Sequence, residues 1–394
     1  MRKTLVKGIA GGLLWLVIAA LMAVIYAPAF LDRIYYHGPH SSHYDGAHFA
    51  NPDGDIEFPV PPGERRGNLF WRFILGRADR PAWPEHVMVS PAKPPARVTV
   101  ASAMRATWVG HATVLVQAGG VNILTDPQWS DYASPFPPLG PQRVAAPGVR
   151  FDDLPKIDIV VVSHNHYDHM DLPTLKRLWQ RDRPLVVTSL GNDTILRGAG
   201  IDAVALDWGG VARAAQGAAK VHVVRNQHWS SRWGRDRNRA LWSAFLIETR
   251  AGNIFFAGDT GAGDMRWADE ARRYGPIRLA LIPIGAFRFY PGQMDTGSHI
   301  GPRQAVEIFG RLGAAQAIPI HWGTFRLSNE AYFTPPKMLA LYTRCAGLSR
   351  DAFRPLRIGE QMDVAARPLA AGPQASAPAR ADCAPGSAAL ARLP

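Results

Sequence analysis

A chain of 394 residues with 47% apolar content is long enough for one large α/β domain with tails, or for two or three domains. Its 44 Lys and Arg against 32 Asp and Glu leave a net charge of +12, which suits an anionic partner; no long basic run or RNA-binding motif accompanies it, so nucleic acid is not expected. Two cysteines, Cys345 and Cys383, exclude a disulfide framework and a C-x-x-C site, and two unpaired thiols are the expectation.

At the amino terminus Arg2, Lys3 and Lys7 precede an uncharged run from Gly8 to Leu31, whose 24 residues exceed the roughly 20 that cross a bilayer. Residues 1–31 therefore read as a membrane anchor, with Tyr26, Tyr35 and Tyr36 at the far interface. The rival reading is a cleaved signal peptide ending near Ala27-Pro28-Ala29, although the run is longer than a usual signal core. Basic residues ahead of the span place the amino terminus in the cytoplasm. The rest of the chain then lies beyond the inner membrane, in the periplasm of a Gram-negative cell; the alternative is release into the periplasm after cleavage.

Residues 32–96 form an irregular extension with five histidines (His37, His40, His43, His48 and His86), none at a strand end, so solvated or packing roles are expected for them. The folded domain is expected over 97–364, its regular structure beginning at Thr107. A strand over Thr107–Gln117 turns at Ala118-Gly119-Gly120 into Val121–Pro127, a β-hairpin by its turn residues and β-branched content. A second hairpin runs Trp242–Glu248, turns at Arg250–Asn253 and continues Ile254–Asp259. Both end in an Asp followed by a turn, which suggests two halves built to one plan. Short apolar strands at 157–162, 185–188, 221–224, 279–282 and 317–320 alternate with helical patterns such as Pro302–Leu312, and this alternation points to an α/β fold. Residues 365–394 are mostly Ala, Pro, Arg, Ser and Gly and read as a disordered tail.

The densest chemistry is Ser163-His164-Asn165-His166-Tyr167-Asp168-His169. It sits between the strand Ile157–Val162 and a helix start at Asp171-Leu172-Pro173, where Asp171 reads as the cap. Three imidazoles and a carboxylate in one tight turn are what a zinc-like ion binds. Three later strands deliver His228, Asp259 and His321 at their ends, where rigid sheets hold catalytic groups. Arg225, Arg232, Arg235, Arg237 and Arg239 cluster around His228, suited either to an anionic phosphate or to a solvated basic face.

These segments resemble the metallo-β-lactamase superfamily. Gln227-His228-Trp229, Phe255–Gly261, Ile282–Ala286, His321–Phe325, Gly110–Thr113, Thr125–Pro127 and Leu206–Trp208 narrow the likeness to the branch of N-acylphosphatidylethanolamine-hydrolysing phospholipase D and its bacterial relatives. The resemblance implies an αββα sandwich, here following an N-terminal transmembrane segment, with two Zn2+ at one edge of the sheets. His164, His166 and His228 would hold the first ion; Asp168, His169 and His321 the second; Asp259 would bridge them. Asp126 and His111 look like residues that orient ligand imidazoles. His299 falls where relatives carry a substrate-side His, although Arg303-Gln304 replace the acidic residues usual after that motif.

Two metals would lower the pKa of a bridging water and neutralise charge on a phosphoryl or acyl oxygen, with Asp168 and Asp259 beside the nucleophile. The expected reaction is phosphodiester hydrolysis of phospholipase D type on an N-acylphosphatidylethanolamine-like membrane lipid. The alternatives are a lactonase or β-lactamase-like hydrolase acting on an acyl carbon and, more remotely, a non-catalytic metal-binding protein. Oligomeric state is not legible.

Overall fold

The structure is a computed structural model that describes residues 2–54, 80–214, 217–290, 293–366 and Cys383. Two mixed sheets face each other. The first holds β1 (Met104–Gly110), β2 (Thr113–Ala118), β3 (Val121–Thr125), β4 (Ile159–Val162), β5 (Leu185–Ser189), β6 (Val204–Leu206) and β13 (Gln361–Asp363), in the order β13-β1-β2-β3-β4-β5-β6. The second holds β7 (Val211–Ala214), β8 (Ala219–Val224), β9 (Ala244–Thr249), β10 (Gly252–Phe256), β11 (Ile277–Pro283) and β12 (Gln316–Ile320), in the order β12-β11-β10-β9-β8-β7.

The shared plan of the two halves shows in the pairing. β2 and β3 form an antiparallel hairpin that leads into parallel β4 and β5; β9 and β10 form another that leads into parallel β11 and β12. Strands covered on both faces are apolar at successive positions, because neither face meets water. In β4, Ile159 and Val161 point into the core between the sheets while Val160 and Val162 point outward, and all four are fully buried. The outer face of the first sheet is covered by α2 (Leu172–Asp182) and α3 (Asn192–Gly198), through Leu175, Leu178 and Leu196. The outer face of the second is covered by α4 (Arg266–Arg272), α5 (Pro302–Leu312) and α6 (Thr334–Cys345), through Trp267, Phe309 and Leu339. Each such side chain, removed from water, stabilises the fold by about 1.5–3 kcal/mol. The result is an α/β/β/α sandwich.

Four expectations change. The run Thr107–Gln117 is two antiparallel strands: Gly110 at φ 132° and His111 at φ 51° reverse the chain between β1 and β2. The glycine permits the reversal, and His111 is thereby placed in a turn at the edge of the sheet. Asp171 precedes α2 but makes no side-chain cap; its carboxylate instead takes the N–H groups of Trp129 (3.1 Å) and Ser130 (2.9 Å). Cys345 and Cys383 are joined in a disulfide, with Cα atoms 5.9 Å apart, so the tail is tethered to the end of α6; its residues 367–382 and 384–394 lie outside the described residues.

The fourth change concerns the span. Residues Arg2–Leu31 form one helix, α1, yet among the described residues no helix is long and apolar enough to cross a membrane. Within α1, Leu13, Leu14, Trp15, Leu16 and Val17 are all exposed.

Candidate metal centre

Every metal-ligand candidate lies just beyond the C-terminal end of a strand. β4 leads into His164, His166, Asp168 and His169; β8 into His228; β10 into Asp259; β12 into His321. Parallel or hairpin pairing puts these ends on one edge, so residues far apart in sequence converge. His321, at φ 61°, is held in its turn by its own N–H, which donates to the His111 carbonyl at 3.0 Å.

His164, His166 and His228 bring one ring nitrogen each within 4.8 Å of one another. His164 Nδ1 bonds Ser163 Oγ at 2.9 Å, and that hydroxyl donates to Asp126 Oδ2 at 2.6 Å. The chain of donors keeps the proton on Nδ1 and turns the Nε2 lone pair to the centre, 2.8 Å from His166 Nδ1. His228 is fixed the same way: Nδ1–H donates to the Ser298 carbonyl at 3.0 Å, leaving Nε2 facing inward.

Asp168, His169, His321 and also His111 form a second group within 4.8 Å. Asp168 Oδ2 lies 3.3 Å from both His169 Nε2 and His321 Nε2, and 2.9 Å from His111 Nε2. His111, read from sequence as an outer residue, therefore touches the carboxylate of Asp168 directly. Asp126 sits behind His169, with Oδ2 2.7 Å from Nδ1, and its Oδ1 takes the Ser163 N–H at 2.7 Å. Asp259 stands between the two groups. Its Oδ2 is 3.0 Å from His169 Nε2 and from His321 Nε2, and 3.9 and 4.0 Å from His228 Nε2 and His164 Nε2. His299 joins at one side, Nδ1 3.9 Å from Asp259 Oδ2, with its ring between those of His228 and His321 at 5.3 Å from each.

Burial and charge set the protonation of this cluster before any cation enters. Burial pushes His164 and His228 well down, His111 and His166 to about 3 and His299 to about 4. Burial also opposes charge on His169 and His321, but Asp259 and Asp168 outweigh it, raising His169 strongly and His321 to about 9. Both carboxylates stay well below their usual range: burial alone would raise them, and the neighbouring imidazoles more than offset it.

The donor set fits a divalent cation. His228 Nε2 and Asp259 Oδ1 are buried and make no hydrogen bond, a costly arrangement that a cation relieves. Five imidazoles and two carboxylates also match the hard-to-borderline ligand preference of such ions.

The arginine cluster splits. Arg225 is tied to Asp53 and Glu270 (both 3.1 Å), Arg239 to Asp32 (2.8 Å), and Arg232 donates to the Asn165 and Met170 carbonyls. These three brace loops, and Arg235 is exposed. Of the early histidines, His43 bonds Asp207 at 2.8 Å and stacks on Trp208, whereas His37, His40, His48 and His86 are exposed. Sequence reasoning missed Ser163 and Ser298 as partners of ligand rings, and Thr324, whose hydroxyl takes the His111 N–H at 2.8 Å. A Ser immediately before the His cluster was the available signal; the Ser298 contact runs through its backbone carbonyl, which residue type does not announce.

Residues 121–322 match the family model described as Beta-lactamase superfamily domain. The chain is 35% identical over 245 residues to N-acyl-phosphatidylethanolamine-hydrolyzing phospholipase D 1 of Caenorhabditis elegans, covering 60% of this chain and 68% of that protein. It is 34% identical over 302 residues to an uncharacterised protein of Mycobacterium tuberculosis, covering 75% of this chain and 77% of the other. Among solved structures, Igni18, a metallo hydrolase from Ignicoccus hospitalis, superposes with a TM-score of 0.52 at 20% identity, over 67% of this chain and all of that one. That likeness shows the fold. The paired sheets, the His/Asp edge and these relatives together make the chain a metal-dependent hydrolase belonging to the β-lactamase superfamily.

Proposed function

We propose that this edge holds two zinc ions and hydrolyses a phosphodiester of an N-acylphosphatidylethanolamine-like membrane lipid, in the manner of a phospholipase D. The observation that carries the two-ion reading is Asp259, whose one oxygen stands 3.0 Å from His169 and His321 and 3.9 and 4.0 Å from His228 and His164. His164, His166 and His228 would hold one ion and Asp168, His169 and His321 the other, with Asp259 between the two groups. Two such cations supply an activated water near neutral pH and neutralise charge on phosphoryl oxygens. Around them Asp168 and Asp259 offset cation charge and orient the attacking water, while His299 contacts the substrate. The water oxygen bonds to phosphorus and gives up a proton, the bond from phosphorus to the ethanolamine oxygen breaks, and the departing alkoxide takes up the proton the water lost.

The lipid assignment draws on the relatives' names and on the amino-terminal helix. α1 exposes an apolar surface, and at its foot Asp32 pairs with Arg239, in the loop after His228. A groove of about 760 Å³ runs there, lined by Ile34, Tyr35, Leu172, Ile195 and Trp233 and reaching Tyr167, between His166 and Asp168. In this reading α1 holds the enzyme at the inner membrane with the catalytic domain in the periplasm. The Cys345–Cys383 disulfide, of the kind that persists in oxidising compartments, supports that location.

A panel of phosphodiesters, lactones and β-lactams tests the reading on the purified full chain and on Asp259→Asn. The expected result is chelator-sensitive diester hydrolysis that the variant largely loses. Brisk lactone or β-lactam cleavage without diester turnover would transfer the assignment to acyl-carbon chemistry.

A further inference from the structure

The irregular segment before the domain reaches into the metal centre through one side chain. Asn51 is buried, and its amide grips the backbone of His228 on both sides, 177 residues away in sequence. Nδ2 donates to the His228 carbonyl at 2.8 Å, and Oδ1 accepts the His228 N–H at 3.2 Å and the Trp242 indole N–H at 3.1 Å. His228 lies past the end of β8, beyond the ladder that would otherwise pair its backbone. Buried peptide groups need partners, and here one primary amide supplies both the donor and the acceptor. With Nδ1 fixed on the Ser298 carbonyl, main chain and ring are both immobilised and Nε2 has one direction left.

The neighbours of Asn51 extend the grip. Asp53 accepts from Arg225 at 3.1 Å and from the Asp264 N–H at 3.0 Å, while the Gly54 carbonyl accepts from Gln227 Nε2 at 3.3 Å. Residues 51–54 thus tie the loop that carries His228 to the loop that carries Asp259, and the same loops meet directly where the Gly261 N–H donates to the Gln227 carbonyl at 2.6 Å. Upstream, Phe49 N–H donates to Asn238 O at 2.8 Å, so the arm is anchored before it arrives.

We infer that Asn51 is a positioning residue of the metal centre: it holds His228, through its backbone, where the ring completes the site of His164 and His166. The inference rests on the proposed two-ion site with His228 as a ligand, and not on the identity of the substrate. An aspartate at this place would keep the acceptors but set an oxygen against the His228 carbonyl; an alanine would leave both peptide groups of His228 unpartnered.

Cobalt(II) binding to the full-length chain tests it without any substrate. Affinity is read by chelator competition, site geometry by the visible cobalt spectrum, and metal-free stability by the melting temperature. Asn51→Ala should weaken one of two cobalt ions by about 10–100-fold, the range for partners that orient ligands, and leave the ion held by Asp168, His169 and His321 at wild-type affinity. Trp242→Phe is the control, because it removes only the third bond of Asn51; it should lower the melting temperature and leave both cobalt ions in place. If Asn51→Ala fails to fold, the isosteric Asn51→Asp decides, with the same selective loss expected. Two cobalt ions at wild-type affinity in the variants, equal weakening of both ions, or the same cobalt loss in Trp242→Phe would overturn the inference. Absence of diester hydrolysis would leave it untouched.

Discussion

Asparagine at Asp126 probes how the second group of ligands is oriented. The carboxylate is fully buried, and its two oxygens take three donors: the Ser163 N–H at 2.7 Å, the Ser163 hydroxyl at 2.6 Å and His169 Nδ1 at 2.7 Å. An amide of the same shape has one accepting atom. If the oxygen stays with the backbone N–H, the NH2 group faces His169 Nδ1, which must then accept. The His169 proton moves to Nε2, the nitrogen that lies 3.0 Å from Asp259 Oδ2 and must face the cation. Partners that fix a ligand tautomer contribute about 10–100-fold in metal affinity, roughly 1.4–2.7 kcal/mol. The fold itself should lose about 1.5–3 kcal/mol, the range for one hydrogen bond to a charged group. Chelator competition and elemental analysis read the first effect, and urea unfolding of the metal-free protein reads the second. Asp126→Asn protein that holds its full metal complement at wild-type affinity would refute the tautomer argument.

Further tests address other parts of the account. In the metal-free protein Asp259 and Asp168 lift His321 to about 9, so a proton stays bound there through the window from 6.5 upward and competes with the cation. The sign follows: metal affinity should rise with pH between 6.5 and about 9, and an affinity flat across that window would contradict the electrostatics. Removing residues before Asp32 should spare a soluble diester but impair vesicle-borne lipid, compared at equal enzyme; equal loss on both would mean that the segment is needed for folding rather than for access. Neither Cys345 nor Cys383 should take a maleimide label under denaturing conditions until a reductant is added, and labelling without reductant would remove the tether at the end of α6.

Much of the centre was legible because metal chemistry is crowded and local. Three imidazoles and a carboxylate between His164 and His169 have no ordinary packing role, and each remaining ligand follows an apolar strand, so the sheets had to bring them together. The alternation of strands and helices, with strands apolar on both faces, likewise announced a sheet covered on each side. What escaped the sequence depends on contacts between distant segments. Nothing near Asn51 announces that its amide closes on His228, and nothing near Ser298 announces that its carbonyl fixes the same ring. The Arg225 and Arg239 side chains read as a phosphate-binding loop or a solvated basic face because their partners, Asp53, Glu270 and Asp32, lie elsewhere in the chain. Spacing says nothing about whether two cysteines meet, and an Ala/Pro-rich surrounding argued against it. The turn at Gly110-His111 was hidden inside a run of strand formers, although an isolated glycine in such a run marks a break in regular pairing.

The most direct measurement of the central claim is the fate of oxygen during hydrolysis. Purified full-length enzyme is incubated with N-acylphosphatidylethanolamine vesicles in water enriched in oxygen-18, and both products are analysed by mass spectrometry. Attack on phosphorus by water predicts one heavy oxygen in the phosphate of phosphatidic acid, none in the N-acylethanolamine, and no products after chelation. Heavy oxygen in a released fatty acid, or intact lipid beside an enzyme with its metals bound, would contradict phosphodiester hydrolysis as the reaction of this site.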